Sequence, residues 1–233
     1  MKNLIFDAGG VQVWPRLGDW HIPLRAAEIL GDRADTLRTD AFFEARRAAF
    51  HWLDESQLVP TLEDERRLRV GFVEEMNARM GWSLTDAEIR EMADDFTDNV
   101  DRYCFFDDVV PWLKRWKGRY GLGVLSDAMP SILNVLHRNG SDALYEHIVF
   151  STHVGATKPD ARMYRAALDA FGAAPEDCLF VDDNPVNVAG AIAMGMKGVQ
   201  MARAEFMPDK LWDGPIVRDF AALDALLESG AIF

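Results

Sequence analysis

Two adjacent carboxylates, Asp182 and Asp183, follow an apolar run at residues 178–181. Carboxylates this close repel one another at the end of a buried strand unless a cation lies beside them. Mg²⁺ suits the position because it prefers oxygen ligands and needs only one or two carboxylates from a protein. Asn187, in the first turn of the helix predicted to follow, could orient one of the two. The segment therefore favours a magnesium site over a solvated turn.

A third carboxylate, Asp7, ends an apolar run at residues 4–6 and is followed by Ala8, Gly9 and Gly10. The two glycines let the backbone approach a ligand closely, so Asp7 would lie beside an open stretch of main chain. Taken alone, the pattern is also typical of an ordinary turn.

Two further segments carry groups suited to binding a phosphate. Ser126 ends the apolar run at residues 122–125, and its hydroxyl and the following N–H, that of Asp127, could hold a phosphate oxygen. A serine at this position could equally cap the next helix. Lys158 stands just before a helix that Pro159 helps to start, and its charge could neutralise a phosphate.

The elements that must position these residues alternate along the chain. Short apolar strands are predicted at residues 4–6, 122–125, 147–150, 178–181 and 199–201. Helices are predicted at residues 109–117, 130–139, 161–171 and 186–194. This alternation is typical of a Rossmann-like α/β fold, a parallel sheet with helices on both faces. Functional groups in such sheets collect at the carboxyl ends of the strands, where all four segments are found.

Residues 14–106 break this rhythm and form a predicted helical insertion. Helical spacing occurs at residues 41–53, 62–80 and 87–96, the last preceded by a capping box in which Thr85 pairs with Glu88. The predicted domains are therefore an α/β core at residues 1–13 and 107–233 and a helical cap at residues 14–106. The insertion contains 12 arginines and no lysine, and most of its charges fit a solvated surface.

Composition narrows the class of protein. Apolar residues make up 49% of the 233 residues and charged residues 27%, an ordinary globular balance. The net charge of −13 argues against nucleic acid or an anionic membrane as a partner. Only two cysteines occur, no apolar run is long enough to span a bilayer, and no signal peptide is recognisable. We expect a cytoplasmic protein, either a monomer or a homodimer.

The order of the four segments, each at a strand end with a helical insertion after the first, resembles the haloacid dehalogenase-like hydrolase superfamily, in particular phosphatases with an α-helical cap of the first type. The resemblance implies that Asp7 is the nucleophile and takes the phosphoryl group as an aspartyl-phosphate. It also implies a magnesium cofactor and a small phosphorylated metabolite as substrate. The implied metal ligands are Asp7, the Gly9 carbonyl, Asp182 and Asp183, with Asn187 in support. The implied phosphate-binding residues are Ala8, Gly9, Ser126, Asp127 and Lys158.

The chain departs from this family pattern at Gly9. In the family's phosphatases a second aspartate usually stands there, protonates the leaving group and then activates water. General acid–base catalysis contributes roughly 10²- to 10⁴-fold. We therefore expect a preference for leaving groups that depart without a proton, such as those of acyl, anomeric sugar or aryl phosphates. A substitute acid could be Asp127 or, within the insertion, His21, His51 or Asp54.

Other functions stay open at this point. Gly9 also fits a degenerate relative that binds phosphate or a partner protein without useful turnover. Haloacid dehalogenases carry Tyr at this position and need no magnesium, so the pair Asp182 and Asp183 argues against that chemistry. Phosphonate-cleaving relatives use a lysine of the cap, and the insertion has none.

Overall fold

A computed structural model describes residues 1–56, 58–204 and 210–233, with the side chains of residues 51–56 left out. The chain divides into two compact units. The α/β unit comprises Met1–Trp14, Phe105–Ala128 and Leu136–Phe233. The helical unit comprises Pro15–Cys104 and Met129–Val135. The second piece of the helical unit differs from the predicted division, which assigned those seven residues to the core.

The strands and helices are given in chain order. The strands are β1 (Asn3–Phe6), β2 (Val13–Pro15), β3 (Tyr103–Phe105), β4 (Gly121–Ser126), β5 (His147–Phe150), β6 (Cys178–Asp182), β7 (Lys197–Met201) and β8 (Ile216–Val217). The helices are α1 (Ala26–Leu30), α2 (Asp40–Ser56), α3 (Leu62–Met80), α4 (Asp86–Thr97), α5 (Val109–Trp116), α6 (Ile132–Asn139), α7 (Ser151–Val154), α8 (Ala161–Phe171), α9 (Pro185–Ala193) and α10 (Phe220–Glu228).

The α/β unit is built on a six-stranded sheet in the order β5-β4-β1-β6-β7-β8. Every neighbouring pair is parallel. This confirms the predicted fold class, a Rossmann-like parallel sheet. β1, β4 and β6 are buried along their whole length, which explains their continuous apolar sequences. The sequence did not predict β8 or α10, because a two-residue strand and an evenly apolar helix leave little periodic signal.

One layer of the α/β unit is an aromatic cluster formed by α5, α10 and β1. Phe6 lies edge-on to Trp112 and also contacts Phe220, with ring centroids 5.6 Å and 5.4 Å apart. The buried carboxylate of Asp224 on α10 accepts hydrogen bonds from the indole N–H groups of Trp112 and Trp116. These three residues couple the last helix to the sheet.

In the helical unit, α3 packs against both α2 and α4. Leu68, Phe72 and Met76, four residues apart on α3, face a common apolar core. The predicted capping box at the start of α4 is present, with both Thr85–Glu88 hydrogen bonds formed. Ser131 belongs to this unit because its N–H and hydroxyl both donate to Glu65 on α3 at 2.8 Å. Throughout the described part of the chain, no helix combines the length and apolar character that a membrane span needs.

We expect the substitution Asp224→Ala to destabilise the α/β unit by about 2–4 kcal/mol, because two buried indole N–H groups lose their acceptor. Urea unfolding followed by tryptophan fluorescence measures the change. Glu228→Ala is the matched control, since Glu228 is exposed on the same helix and pairs with the half-exposed Arg115; it should cost less than about 0.5 kcal/mol. Equal losses for the two variants would contradict this role of Asp224.

Candidate active site

The sheet register brings the reactive strand ends together. Phe6 of β1 aligns with Val124 of β4 on one side and with Val181 of β6 on the other. The N–H of Asp7 continues the β1–β6 ladder by donating to the Val181 carbonyl at 2.9 Å. Asp7, Ser126 and Asp182 therefore stand at the same edge, although up to 175 residues of chain separate them.

Lys158 joins two of these carboxylates. Its Nζ donates to Asp7 Oδ1 at 2.8 Å and to Asp182 Oδ2 at 2.7 Å, and it also reaches the Leu125 carbonyl at 3.3 Å. The lysine side chain is 1% exposed. Burial favours the neutral amine, but the surrounding carboxylates outweigh it and raise the pKa of Lys158 above its ordinary value. The ammonium is therefore charged at any physiological pH.

The three carboxylates at this edge carry more negative charge than Lys158 balances. Asp7, Asp182 and Asp183 each offer an oxygen within 4.8 Å of the others. Burial, opposed by Lys158, raises the pKa of Asp7 to about 6. Burial followed by repulsion from Asp182 and Asp7 raises the pKa of Asp183 to about 8. A divalent cation among these oxygens would stabilise their ionised forms, so the donor set fits Mg²⁺.

The oxygens of Asp182 are already engaged. Oδ1 accepts the backbone N–H of Asn184 at 2.8 Å, and the Asn187 amide donates to both oxygens at 3.1–3.2 Å. Together with the Lys158 contact, these bonds orient Asp182 towards the lysine. Among the expected metal ligands, Asp7 and Asp183 therefore have the carboxylates less occupied by other hydrogen bonds, while the Asn187 amide holds Asp182 in place.

The turn after Asp7 is shaped by Gly10. Gly10 has a φ of 65°, and a Cβ built there would lie 2.5 Å from Asp183 Oδ2. Only glycine allows this approach of the two chain segments. Gly9 does not share the positive φ. The turn is closed by the N–H groups of Gln12 and Val13, which donate to the Ala8 carbonyl at 2.9 Å and 3.0 Å.

Three buried polar residues support this turn and were missed by the sequence analysis. Gln12 donates to the Asp7 carbonyl at 2.9 Å and accepts from the Tyr145 hydroxyl. Gln200 donates to the Asp183 carbonyl at 2.7 Å. Arg203 donates to the Val11 carbonyl. For two of them the sequence does contain a sign of a buried polar role, a glutamine within an apolar run: Val11-Gln12-Val13 and Val199-Gln200-Met201.

Ser126 and Asp127 flank the nucleophile candidate. Ser126 is buried, and its hydrogen bond favours the ionised form of Asp7. Asp127 is exposed, and its carboxylate accepts the Lys158 backbone N–H at 2.9 Å and 3.1 Å. Desolvation by the surrounding chain, partly offset by Lys158, raises the pKa of Asp127. Asp127 can therefore hold a proton closer to neutral pH than an ordinary aspartate.

The sequence also named three possible proton donors within the insertion, His21, His51 and Asp54. His21 lies in the helical unit, where burial and then Arg69 and Arg46 lower its pKa to about 3. His21 is thus uncharged at neutral pH and unsuited to donate a proton as imidazolium. The side chains of His51 and Asp54 lie outside the described residues.

Sequence comparisons place the chain among hydrolases of related chemistry. It is 33% identical over 117 residues to a phosphoserine phosphatase of Thermus thermophilus, covering 49% of this chain and 47% of that protein. It is 32% identical over 114 residues to haloacetate dehalogenase H-2 of a Moraxella species, covering 48% and 50%. A phosphatase of Mycobacterium tuberculosis is 30% identical over 149 residues, covering 61% and 66%. The chain thus spans about half the length of the first two relatives and just under two thirds of the third.

Solved structures share the fold over nearly the whole chain. The L-2-haloacid dehalogenase of Xanthobacter autotrophicus superposes with a TM-score of 0.66 at 18% identity, covering 98% of both chains. A haloacid dehalogenase-type phosphatase of Thermococcus onnurineus gives a TM-score of 0.64 at 18% identity, covering 97% of this chain and 98% of that one. A family model for haloacid dehalogenase-like hydrolases matches residues 1–195. The chain therefore belongs to the haloacid dehalogenase-like hydrolase family.

Proposed function

We propose that the protein is a magnesium-dependent phosphatase acting on a small phosphorylated metabolite, with Asp7 as the nucleophile. The observation that carries the proposal is the buried contact of Asp7 with Lys158, beside the carboxylates of Asp182 and Asp183. Phosphatases among the curated relatives support it. A divalent cation held by these acids would give the site the positive charge that a phosphate requires.

Each residue of the site has a separate role in the proposed phosphoryl transfer. Mg²⁺ held by Asp7, Asp183 and the Gly9 carbonyl would offset the repulsion between a carboxylate and a phosphate and align the phosphate. Asp7 attacks phosphorus, the bond to the leaving oxygen breaks, and an aspartyl-phosphate forms on Asp7. Lys158, Ser126 and the N–H groups of Ala8 and Asp127 hold the phosphoryl oxygens. Water then cleaves the aspartyl-phosphate, releasing phosphate and restoring Asp7.

Asp182 acts through the lysine in this scheme. Its Oδ2 accepts from the Lys158 ammonium at 2.7 Å, and both of its oxygens accept from the Asn187 amide. Lys158 therefore stays charged and points at Asp7 before a substrate arrives. This preorganisation stabilises the charge that develops on the transferring phosphoryl group.

Dehalogenation is the second candidate, favoured by the 32% identity to haloacetate dehalogenase H-2 over 114 residues. Asp7 would then attack a carbon atom, release a halide and form an ester. That reaction needs no cation, so chloride release from chloroacetate in EDTA distinguishes it from the phosphatase. Binding of phosphorylated compounds without turnover in either assay would identify a binding protein instead.

Removing Asp7 should abolish phosphate release, because no other carboxylate can form the aspartyl-phosphate. We expect Asp7→Asn to lose all measurable turnover and Asp183→Asn to need much more Mg²⁺ for a lower rate. Asp177→Asn, an exposed aspartate paired with Lys2, is the matched control and should behave as the wild type. The assay is phosphate release from a panel of phosphorylated metabolites with Mg²⁺ or EDTA. Full activity in EDTA would refute the metal requirement.

Magnesium should stabilise the protein more at pH 8 than at pH 5.5. The pKa values of Asp7 and Asp183 are raised to about 6 and about 8, so both folded carboxyls bind protons more tightly than in the unfolded chain. Stability without metal is therefore fully present at low pH and falls as pH rises through these values. Mg²⁺ binds only the ionised carboxylates and offsets that loss at high pH. Melting temperatures with and without Mg²⁺ at both pH values measure the difference.

The same measurement on Asp183→Asn supplies the control. With no charge at this position, the pH dependence of the magnesium effect should shrink markedly. A magnesium effect equal at both pH values in the wild type would show that these carboxyls are not its ligands.

Activity should depend steeply on the leaving group, because Gly9 cannot protonate it. We expect acyl and aryl phosphates to be cleaved well and alkyl phosphates poorly. Gly9→Asp should raise the alkyl rate, by up to roughly 10²- to 10⁴-fold. The positive φ lies at Gly10 and not at Gly9, so the added side chain meets no backbone strain of this kind.

Gly10→Ala is the contrasting variant. Its Cβ would lie 2.5 Å from Asp183 Oδ2, so both magnesium affinity and rate should fall for every substrate. Equal wild-type rates across leaving groups of very different pKa, with chemistry rate-limiting, would mean that another group such as Asp127 supplies the proton.

A further inference from the structure

Two arginines of the helical unit are buried without adequate partners. Arg69 on α3 and Arg102 just before β3 are each 6% exposed. The Nε and Nη1 atoms of both residues are buried and have no hydrogen-bond partner in the described part of the chain. Buried polar groups are almost always paired, and buried charges more so. Four buried nitrogen donors without a hydrogen-bond partner are therefore unusual for a folded protein.

The two guanidinium groups are held close together. Their central carbons lie over the ring of Phe96, at 4.6 Å for Arg69 and 5.0 Å for Arg102. Arg102 also lies over the ring of Tyr103 at 4.5 Å and donates through Nη2 to its hydroxyl. Stacking on aromatic faces fixes the plane of each guanidinium, which leaves its N–H groups ordered before any ligand arrives.

The negative charge nearby does not match the positive charge. Glu65 is fully buried, but its Oε1 lies 3.9 Å from Arg69 Nε, beyond hydrogen-bond distance. Both Glu65 oxygens instead accept from Ser131, at 2.8 Å. The third arginine of the group, Arg46, is paired with Asp19. Among the residues whose side chains the structure describes, the three arginines thus carry one positive charge more than Glu65 and Asp19 balance.

His21 is a further buried polar side chain near these arginines. Its Nδ1 is buried and unpartnered, and its ring lies against Phe50 and Phe72. Burial and the charges of Arg69, Arg46 and Arg102 lower the pKa of His21 to about 3. Burial and the neighbouring Arg102 also lower the pKa of Arg69 to about 10. Burial is the larger cause of both shifts, and the neighbouring guanidinium charges add to it in the same direction.

A trapped water in the neighbouring cavity does not resolve this. That cavity has a volume of about 20 Å³ and is bounded mainly by apolar side chains, among them Phe72, Met76 and Met92. His21 touches it, but neither Arg69 nor Arg102 lines it. Its size admits a single water and no organic ligand.

We propose that Arg69, Arg102 and His21 form an anion-binding site within the helical unit, which takes the carboxylate or phosphate end group of a small molecule. Two guanidinium forks match the oxygen geometry of either group, and the His21 ring adds a further polar contact. The donor atoms of both arginines are buried, so an end group reaches them only when neighbouring side chains of the helical unit move aside, and this requires a compact group. The proposal concerns the helical unit alone and does not depend on the phosphatase chemistry of the α/β unit.

Nuclear magnetic resonance of the His21 imidazole tests the site directly. The full chain, in EDTA and at constant ionic strength with chloride, is titrated with inorganic phosphate and separately with acetate. His21→Gln identifies the resonance among the five histidines. We expect a saturable shift of this signal. Saturation at a lower concentration of phosphate assigns a phosphate-bearing ligand, and the reverse order assigns a carboxylic acid.

Substitutions then locate the response. Arg69→Gln and Arg102→Gln should each weaken the anion affinity at least about tenfold, since each removes a charge-assisted contact. Arg67→Gln, on the same helix but with its side chain 67% exposed, is the matched control and should leave the affinity unchanged. If a glutamine variant does not fold, Arg69→Lys keeps the charge without the fork and should still weaken binding.

Two results would overturn the proposal. One is a wild-type His21 signal that shifts with neither anion beyond the chloride control, a measurement that needs no variant. The other is an equal loss of affinity in Arg67→Gln and Arg69→Gln, which would indicate a general effect of net charge.

Discussion

The ammonium of Lys158 lies 2.8 Å from Asp7 and 2.7 Å from Asp182. All three groups are buried, and burial alone would favour the uncharged form of each. Without the lysine, two buried carboxylates on neighbouring strands would repel each other and take up protons. Without the carboxylates, burial would drive the lysine towards its neutral form. The three charges are therefore stable only together, and the sheet register is what holds them at this distance. In a chain with a net charge of −13, Lys158 places one positive charge among these carboxylates and offsets part of their repulsion.

Much of the surrounding structure fixes the backbone that carries these charges. Gln12 and Gln200 bond the carbonyls of Asp7 and Asp183, while Arg203 bonds the carbonyl of Val11 and pairs with Asp108. All three side chains are buried, so water does not compete for their hydrogen-bond partners and the geometry of these bonds is maintained. The amide of Asn187 does the same for Asp182. The charged side chains at this edge of the sheet are therefore carried by an ordered backbone.

The two units have opposite electrostatic imbalances. In the α/β unit, three carboxylates lie beside one lysine, and burial together with repulsion between the carboxylates raises the pKa values of Asp7 and Asp183. In the described part of the helical unit, Arg69 and Arg102 lie near one buried carboxylate, that of Glu65, and burial together with the arginine charges lowers the pKa of His21. The first imbalance suits a divalent cation. The second suits the anionic end of a ligand. Each is tolerated in the folded chain because stacking or hydrogen bonds hold the excess charges in place.

The sequence alone determined the parallel α/β fold and the groups at its strand ends. Short apolar runs ending in Asp7, Ser126 and Asp182, with helices between them, predict that these residues meet at one edge, and the structure brings them there. The capping box of Thr85 and Glu88 was equally readable, because both of its hydrogen bonds span only three residues. Local spacing encodes features of this kind.

Only the tertiary structure decided how the charges are shared. The adjacency of Asp182 and Asp183 does not reveal that one faces Lys158 while the other faces Gly10. The contact of Gln12 with Tyr145 joins residues 133 apart, and no local pattern marks it. Likewise, the sequence predicted that the arginines of the insertion lie on a solvated surface. In the structure, Arg69 and Arg102 are instead buried against Phe96. Spacing along the chain specifies which face of an element is apolar, but charge balance depends on neighbours that only packing selects.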